Sequence, residues 1–138
     1  MAERPDAVET ALRALRFRDR TAAELQARLE QRGVGEAEWE QALETLERIG
    51  YVDDERFARM RAEQLAERGS GDALIRDDLE RRGVAADVVE LALGALESER
   101  ERAVRIAACR GHSVKTARYL ASRGFGEEAL DGLVAAEE

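Results

Sequence analysis

The chain has 138 residues and a formal net charge of −8, and 44% of its residues are hydrophobic while only 4% are aromatic. A chain of this length forms one mid-sized domain or a short array of small units. The low aromatic content, with abundant alanine, leucine, glutamate and arginine, favours helices over a β-sandwich or barrel. The single cysteine, Cys109, excludes an intramolecular disulfide framework and a cysteine-rich zinc site.

Membrane and export signals are not found in the sequence. No apolar run reaches the roughly 20 residues that a membrane-spanning helix needs, and the first ten residues lack the apolar core of a signal peptide. We therefore expect a cytoplasmic protein with no membrane partner. The acidic charge argues against bulk attraction to nucleic acid, although it leaves room for a local basic face.

Apolar residues recur at intervals of three and four, which is typical of amphipathic helices. In the first third of the chain, Asp6 caps a helix whose apolar stripe extends to Leu15. Thr21, with a glutamate three residues later, starts a second helix that ends at Gly33. A third stripe, which includes Trp39 as a predicted core residue, ends at Gly50.

The same cycle of three helices then occurs twice more along the chain. The second cycle begins with acidic residues, which suit a helix N-terminus, and the third has serines in capping positions. In these two cycles, helices are predicted to begin at Asp53, at Ser70 or Gly71, at Ser98 and at Ser113, and the apolar stripe of each third helix begins with Val84 or Phe125.

An internal repeat accompanies these cycles. The pattern Leu-x-x-Arg-Gly, followed by an apolar residue, occurs three times, and its glycines are Gly33, Gly83 and Gly124. A unit of about 45 residues has little core of its own, so neighbouring units are expected to pack on one another. The sequence therefore predicts an all-α fold of three tandem three-helix repeats, at residues 1–50, 51–97 and 98–138, that form an elongated, curved array.

One segment is more specific than the repeat. Residues 50–58 read GYVDDERFA, which is similar to the GY(L/V)-D-D-x-x-F-A signature of the bacterial RecX regulatory proteins. Three further segments also match that family: Thr-x-x-Glu-Leu-x-x-x-Leu-x-x-Arg-Gly at residues 21–33, Gly-x-x-x-Ile-x-x-x-Leu-x-x-Arg-Gly-Val at residues 71–84, and RGF at residues 123–125. Over nearly its whole length, from about Ala7 to Val134, the chain therefore resembles a RecX protein.

The resemblance implies a non-enzymatic role as a negative modulator of the RecA recombinase. Members of the family bind the RecA filament on single-stranded DNA and suppress ATP hydrolysis and strand exchange. This chain is more acidic than many members, so we expect its contact with nucleic acid to be weak or indirect. An asymmetric array of repeats is expected to be a monomer.

Two groups of cations are candidate partner-binding residues. From Arg100 to Arg123 the chain has seven cations and one acid, which indicates contact with phosphate or an acidic protein surface, or else a solvated helix face. The spacing within this run selects Arg102, Arg105, Arg110, Lys115 and Arg118. Near the N-terminus, a second candidate stripe with spacings of three and four consists of Arg13, Arg16 and Arg20.

The segment from Gly50 onwards has two interpretations. As a joint between helices, Gly50 ends one helix, Tyr51 fills the seam and Asp53 caps the next helix. As a binding site, Asp53 and Asp54 contact a basic surface of the recombinase. The three Arg-Gly pairs are interpreted as helix C-terminal caps, and Cys109 as a small packing residue.

No catalytic constellation is apparent in the sequence. It lacks a Gly-Lys-Ser/Thr nucleotide-binding loop, a nucleophile elbow and a histidine-rich metal spacing, so we expect neither enzymatic activity nor a cofactor. The alternative from another class is a helix-turn-helix-like regulator that reads duplex DNA through one helix. The net charge argues against this alternative, and duplex binding that weakens steeply with salt would favour it.

Overall fold

The structure, a computed structural model, describes residues 6–16 and 18–134. Those residues form nine α-helices and no strand, which confirms the predicted all-α class. The first four helices are α1 (Ala7–Leu15), α2 (Ala22–Gln31), α3 (Glu36–Arg48) and α4 (Asp54–Glu67). The other five are α5 (Asp72–Arg81), α6 (Ala86–Gly94), α7 (Glu99–Arg110), α8 (Val114–Ser122) and α9 (Glu127–Leu130).

Several of the predicted helix starts coincide with observed side-chain caps. The Asp6 carboxylate accepts a hydrogen bond from the backbone of residue 9, at 3.1 Å. Thr21 and Glu24 form a complete capping box, in which each side chain accepts a hydrogen bond from the backbone N–H of the other residue. The Ser98 and Ser113 hydroxyls cap α7 and α8 by accepting hydrogen bonds from the backbone N–H groups of Glu101 and Thr116. Each cap satisfies a backbone donor that the first helical turn leaves unpaired.

The chain divides into two compact units. The first consists of Met1–Phe57 and Arg82–Val84. Its buried core includes Ala11, Leu25, Leu29 and Leu46, contributed by α1, α2 and α3, and half-buried Trp39 packs against this core. The sequence pattern predicts these positions because each lies on the apolar stripe of its helix.

The second unit consists of Ala58–Arg81 and Ala85–Glu138. In its C-terminal part, α7, α8 and α9 surround a core that includes Ala107, Leu120, Phe125 and Leu133. The repeat boundaries at residues 50/51 and 97/98 stay a prediction. Residues 1–5 and 135–138, which the prediction assigns to the first and third repeats, lie outside the described residues.

Tyr51 does not fill the seam between helices, so that part of the prediction is wrong. Its side chain is 57% exposed, whereas Val52 is buried in the first core. Gly50 adopts a left-handed conformation, with φ of +85°, and both following N–H groups bond to the carbonyl of Leu46. This turn directs Val52 inward and leaves Tyr51 at the surface. Cys109, predicted to pack, is also exposed.

The Arg-Gly turns do more than end helices. In the first unit, the Thr21 hydroxyl donates a hydrogen bond to the Arg82 carbonyl at 2.6 Å. A Cβ atom at Gly83 would lie 2.3 Å from the Cβ of Ala23 in α2. The turn that follows α5 is thus packed directly against the first turn of α2, and a side chain at Gly83 has no room.

The second unit contains an equivalent contact. The N–H of Gly71 donates to the Arg123 carbonyl at 2.8 Å, and the N–H of Ala73 donates to the Gly124 carbonyl at 3.2 Å. A Cβ atom at Gly124 would lie 2.7 Å from the backbone nitrogen of Leu74. Gly33 has a similar φ of +81°, but a Cβ atom there would meet nothing within 4 Å.

We expect Gly124→Ala to destabilise the protein more than Gly33→Ala does. Both variants place alanine in a left-handed conformation, which costs about 1–2 kcal/mol. Gly124→Ala must also displace the backbone of α5, and overpacking of this kind adds about 1–3 kcal/mol. Urea denaturation of the two variants measures the difference, and equal losses of unfolding free energy would show that the close contact at Gly124 is unimportant.

Candidate partner-binding surfaces

Three exposed cations lie together where α7 ends and α8 begins. The guanidinium carbon of Arg110 lies 3.8 Å from the centre of the Tyr119 ring, which holds Arg110 against α8 by a cation–π contact. On α8, Lys115 lies between Tyr119 and Arg118, because residues three and four positions away are its neighbours on one helix face. We call Arg110, Lys115 and Arg118 the basic corner.

Lys115 of the basic corner does not stabilise α8. Lys115 lies in the first turn of this helix, which contains no acidic residue. The first turns of α2 and α5 contain Glu24 and Asp72 instead. A cation at a helix N-terminus opposes the helix dipole by a few tenths of a kcal/mol, up to about 1. The positive end of α8 and Lys115 together make this surface attractive to anions.

Arg102 does not belong to this surface, although the sequence places it among the candidates. Its side chain is only 6% exposed, and it donates to the Glu97 carbonyl at 3.0 Å and to the Ser70 carbonyl at 2.9 Å. It also forms an ion pair with Asp72 and lies over the Phe125 ring. Arg102 therefore joins α7 to the start of α5, and its hydrogen-bonding groups point into the protein.

The contacts around Arg102 also affect the pKa of the Asp72 carboxyl. Burial raises the pKa of Asp72, and the nearby Glu99 carboxylate acts in the same direction. The charge of Arg102 and its hydrogen bond oppose the rise in the pKa of Asp72 without cancelling it. Arg102 therefore keeps a half-buried carboxylate compatible with the folded state.

Two other cations of the same run are also engaged within the second unit. Arg105 is exposed but forms an ion pair with Glu97, at the rim of a groove of about 300 Å³ that Glu63 and Glu67 also line. Arg100 donates to the backbone carbonyls of α9 and of the turn after it. The exposed cations of the run therefore differ in their contacts, and those of the basic corner form no ion pair with any described residue.

The N-terminal stripe is not a single free surface either. Arg13 is exposed and pairs with Glu9 at 2.6 Å. Arg16 lies at the C-cap of α1 and is exposed. Arg20 is half-buried and donates to the carbonyl of Ala14 at 2.9 Å. Of these three arginines, Arg13 alone lines a concave surface.

That concave surface contains two arginines that the sequence analysis did not select. A cavity of about 330 Å³ in the first unit is lined by Thr10, Arg13, Ala14, Arg28 and Arg32. We call these five residues the arginine cleft. Arg28 and Arg32 lie one turn apart on α2, where the sequence shows only helix-ending cations. Their approach to Arg13 depends on how α1 packs on α2, and no spacing within one helix reveals it.

Asp53 and Asp54 have structural roles, as the first interpretation of their segment proposes. The Asp53 carboxylate accepts a hydrogen bond from the N–H of Arg56 at 3.0 Å and so caps α4. The Asp54 carboxylate accepts from the N–H of Ala22 at 2.9 Å, at the first residue of α2. Asp53 is nevertheless exposed, so its contact with a partner stays a prediction.

Within residues 6–16 and 18–134, no group of three or more histidine, cysteine, aspartate or glutamate side chains could hold a metal ion. Among the same residues, no helix has the length and apolar character needed to cross a membrane.

Comparison with known proteins identifies the family. The family model described as "RecX, first three-helix domain" matches residues 7–46, and the model "RecX, second three-helix domain" matches residues 53–93. The chain is 32% identical over 140 residues to the regulatory protein RecX of Halorhodospira halophila, covering 94% of this chain and 87% of that protein. The chain belongs to the RecX family.

Another RecX relative, from Syntrophotalea carbinolica, is 41% identical over 101 residues, which cover 72% of this chain. The aligned region spans 65% of that protein, so the chain matches a little under two thirds of its length. A RecX protein of Thermus thermophilus is 40% identical over 121 residues, with 87% of this chain and 84% of that protein covered.

Solved RecX structures share the fold. The crystal structure of RecX from Lactobacillus salivarius superposes with a TM-score of 0.81 at 19% identity, over 93% of this chain and 92% of that one. A second crystal structure, of regulatory protein RecX, superposes with a TM-score of 0.78 over 95% of this chain and 72% of that one. At such low identity the resemblance concerns the fold, and the three-helix organisation of RecX proteins agrees with the repeats predicted for this chain.

We expect Arg102→Met to destabilise the protein by about 3 kcal/mol at neutral pH, because it leaves buried acceptors and the Asp72 carboxylate without their donor. Arg105→Met is the matched control. It breaks an exposed ion pair on the same helix and should cost less than about 1 kcal/mol. Urea denaturation of both variants distinguishes a structural arginine from a surface one, and a similar small loss in both would contradict the internal role of Arg102.

The loss in Arg102→Met should depend on pH. Removing the Arg102 charge raises the pKa of Asp72 further above its ordinary value of 3.8. A carboxyl whose pKa is higher in the folded state destabilises that state when it is ionised, and protonation relieves the cost. The difference in unfolding free energy between the variant and the parent should therefore shrink as the pH falls from 7 towards 3.8. A difference that grows on acidification would contradict this assignment.

Proposed function

We propose that this chain is a negative modulator of the RecA recombinase, which binds the RecA filament on single-stranded DNA and suppresses ATP hydrolysis and strand exchange. Membership of the RecX family is the observation that carries the proposal. The chain would act in the cytoplasm, during homologous recombination and the SOS response, as a binding protein rather than as an enzyme.

The basic corner is the surface that we assign to the filament. Its three cations are exposed, and Lys115 is placed against the preference of its own helix. A nucleoprotein filament offers both DNA phosphates and acidic protein side chains, and arginine and lysine suit either partner. Because the chain carries a net charge of −8, this contact would be local and would supplement protein–protein contacts.

A chain of tandem three-helix units suits the proposed action. Contacts made by several units are individually weak, but each one raises the effective concentration of the others once the chain is bound. A bound monomer that touches neighbouring RecA protomers would restrict their relative movement or block the addition of further subunits. Either effect would suppress ATP hydrolysis without any catalytic group in the RecX chain.

The test is RecA ATP hydrolysis on single-stranded DNA, with the recombinase of the same host and increasing amounts of this protein. We expect the parent protein to inhibit, and Lys115→Ala with Arg118→Ala to inhibit about tenfold less, because two charge-assisted contacts are lost. The matched control removes two exposed cations elsewhere, with Arg48→Ala and Arg59→Ala, and should inhibit like the parent.

The outcomes separate the alternatives. Inhibition well below one molecule per RecA protomer indicates action at filament ends or by disassembly, whereas inhibition near one per several protomers indicates occupancy along the filament. Equal inhibition by both double variants would remove the basic corner from the proposal. No inhibition by the parent, together with tight and salt-sensitive duplex binding, would favour the helix-turn-helix-like DNA-binding regulator instead.

A further inference from the structure

We propose that the arginine cleft of the first unit binds the terminal phosphate of a phosphorylated ligand. This inference is independent of the proposed action on RecA, because it concerns another surface and another chemistry. The cleft is formed by Thr10, Arg13 and Ala14 of α1, by Arg28 of α2 and by Arg32 at the C-cap of that helix.

The shape of the cleft suits a small anionic group. Its volume of about 330 Å³ lies at the lower end of the range of small-molecule sites, roughly 300–1,000 Å³. That space holds a phosphate and part of the molecule to which it is attached. Thr10 and Arg13 lie three residues apart on α1, and Arg28 and Arg32 lie four apart on α2, so two pairs of donors face one space.

The positive charge of the cleft is poorly neutralised. Among the described residues, no acidic side chain pairs with Arg28 or Arg32. Arg13 has only its exposed pair with Glu9, a contact of small energy that a ligand can replace. The neighbouring Arg20 shows the effect of several arginines lying close together. Burial lowers the pKa of Arg20, and the positive charges of Arg18 and Arg28 lower it as well. An added anion would relieve this repulsion.

The second repeat shows that the helical framework does not need two of these three charges. Counting from Gly33 to Gly83, the positions of Arg28 and Arg13 correspond to Asp78 and Glu63, whereas Arg32 corresponds to another arginine, Arg82. Asp78 forms a two-bond ion pair with Arg61, whose counterpart in the first repeat is Ala11. The same helical framework thus carries an acid with a paired arginine in one copy and a cluster of arginines in the other. Helix packing therefore does not explain why Arg13 and Arg28 join Arg32 in the cleft.

The ligand class follows from the number of donors. Three guanidinium groups supply planar pairs of N–H donors that fit phosphate oxygens. A terminal phosphate carries about two negative charges at neutral pH, whereas a phosphodiester carries one and has ester groups on two sides. We therefore assign a phosphate monoester or a diphosphate. Its source is either a free nucleotide-like molecule or the 5′-phosphate end of a nucleic acid strand.

The first experiment is calorimetric titration of the full chain with inorganic pyrophosphate at low ionic strength. We expect binding to weaken at least about tenfold in Arg28→Gln with Arg32→Gln, because two charge-assisted contacts are lost. The matched control, Arg48→Gln with Arg59→Gln, removes the same charge from two exposed positions outside the cleft and should bind like the parent. Arg32→Gln alone is a second variant, since Arg32 is exposed and its replacement leaves the core intact.

Two oligonucleotides that differ only in a 5′-phosphate or 5′-hydroxyl distinguish the sources. Stronger binding of the phosphorylated strand that is lost in Arg28→Gln with Arg32→Gln supports the cleft as a site for strand ends. Binding of pyrophosphate alone supports a small phosphorylated ligand. Equal binding of both strands through the cleft, equal weakening of pyrophosphate binding in the control variant, or no pyrophosphate binding by the parent would overturn the proposal.

Discussion

The fold depends on a close backbone contact between an Arg-Gly turn and the first turn of an earlier helix. Such a contact needs glycine both for its left-handed conformation and for its missing side chain. An acidic side chain accompanies it in each unit. Asp54 accepts from the N–H of Ala22, and Glu99 accepts from the N–H groups of Asp72 and Gly126. Neighbouring helices therefore satisfy the unpaired donors of each other's ends, and this interlocking compensates for the small core of each three-helix unit.

This packing decides which charges remain available to partners. Arg102, Arg61 and Arg100 lie where helices meet, and each is engaged with a carboxylate or a backbone carbonyl of the second unit. Such arginines cover apolar surface and anchor helix ends, so their charge adds little to the surface potential. The cations of the basic corner and of the arginine cleft are not held between helices in this way. A count of charged residues in the sequence does not separate arginines that join helices from cations that are available to a partner.

Features that depend on adjacent residues were predictable from the sequence. A cap such as Thr21 with Glu24, or a helix end at Gly33, is determined within one turn of helix. Features that depend on the rotation of one helix against another were not. Spacing puts Arg102 and Arg105 on one side of α7, but only the start of α5 determines that Arg102 is buried. The arginine cleft is formed by side chains of both α1 and α2, so the spacing within one helix does not reveal Arg28. The prediction for Tyr51 is wrong because the left-handed turn at Gly50 directs the Tyr51 side chain to the surface and Val52 to the core.

The acidic background would make the two proposed sites selective. A protein with an excess of cations binds any polyanion through released counterions, with little dependence on geometry. Here a net charge of −8 opposes such general attraction, and within a screening length of about 8 Å only local cations can outweigh it. An anion therefore gains enough energy only where several cations converge, as Arg110, Lys115 and Arg118 do at one corner. Under both proposals, specificity would arise from the contrast between a repelling surface and small attractive sites, which a more basic protein would lack.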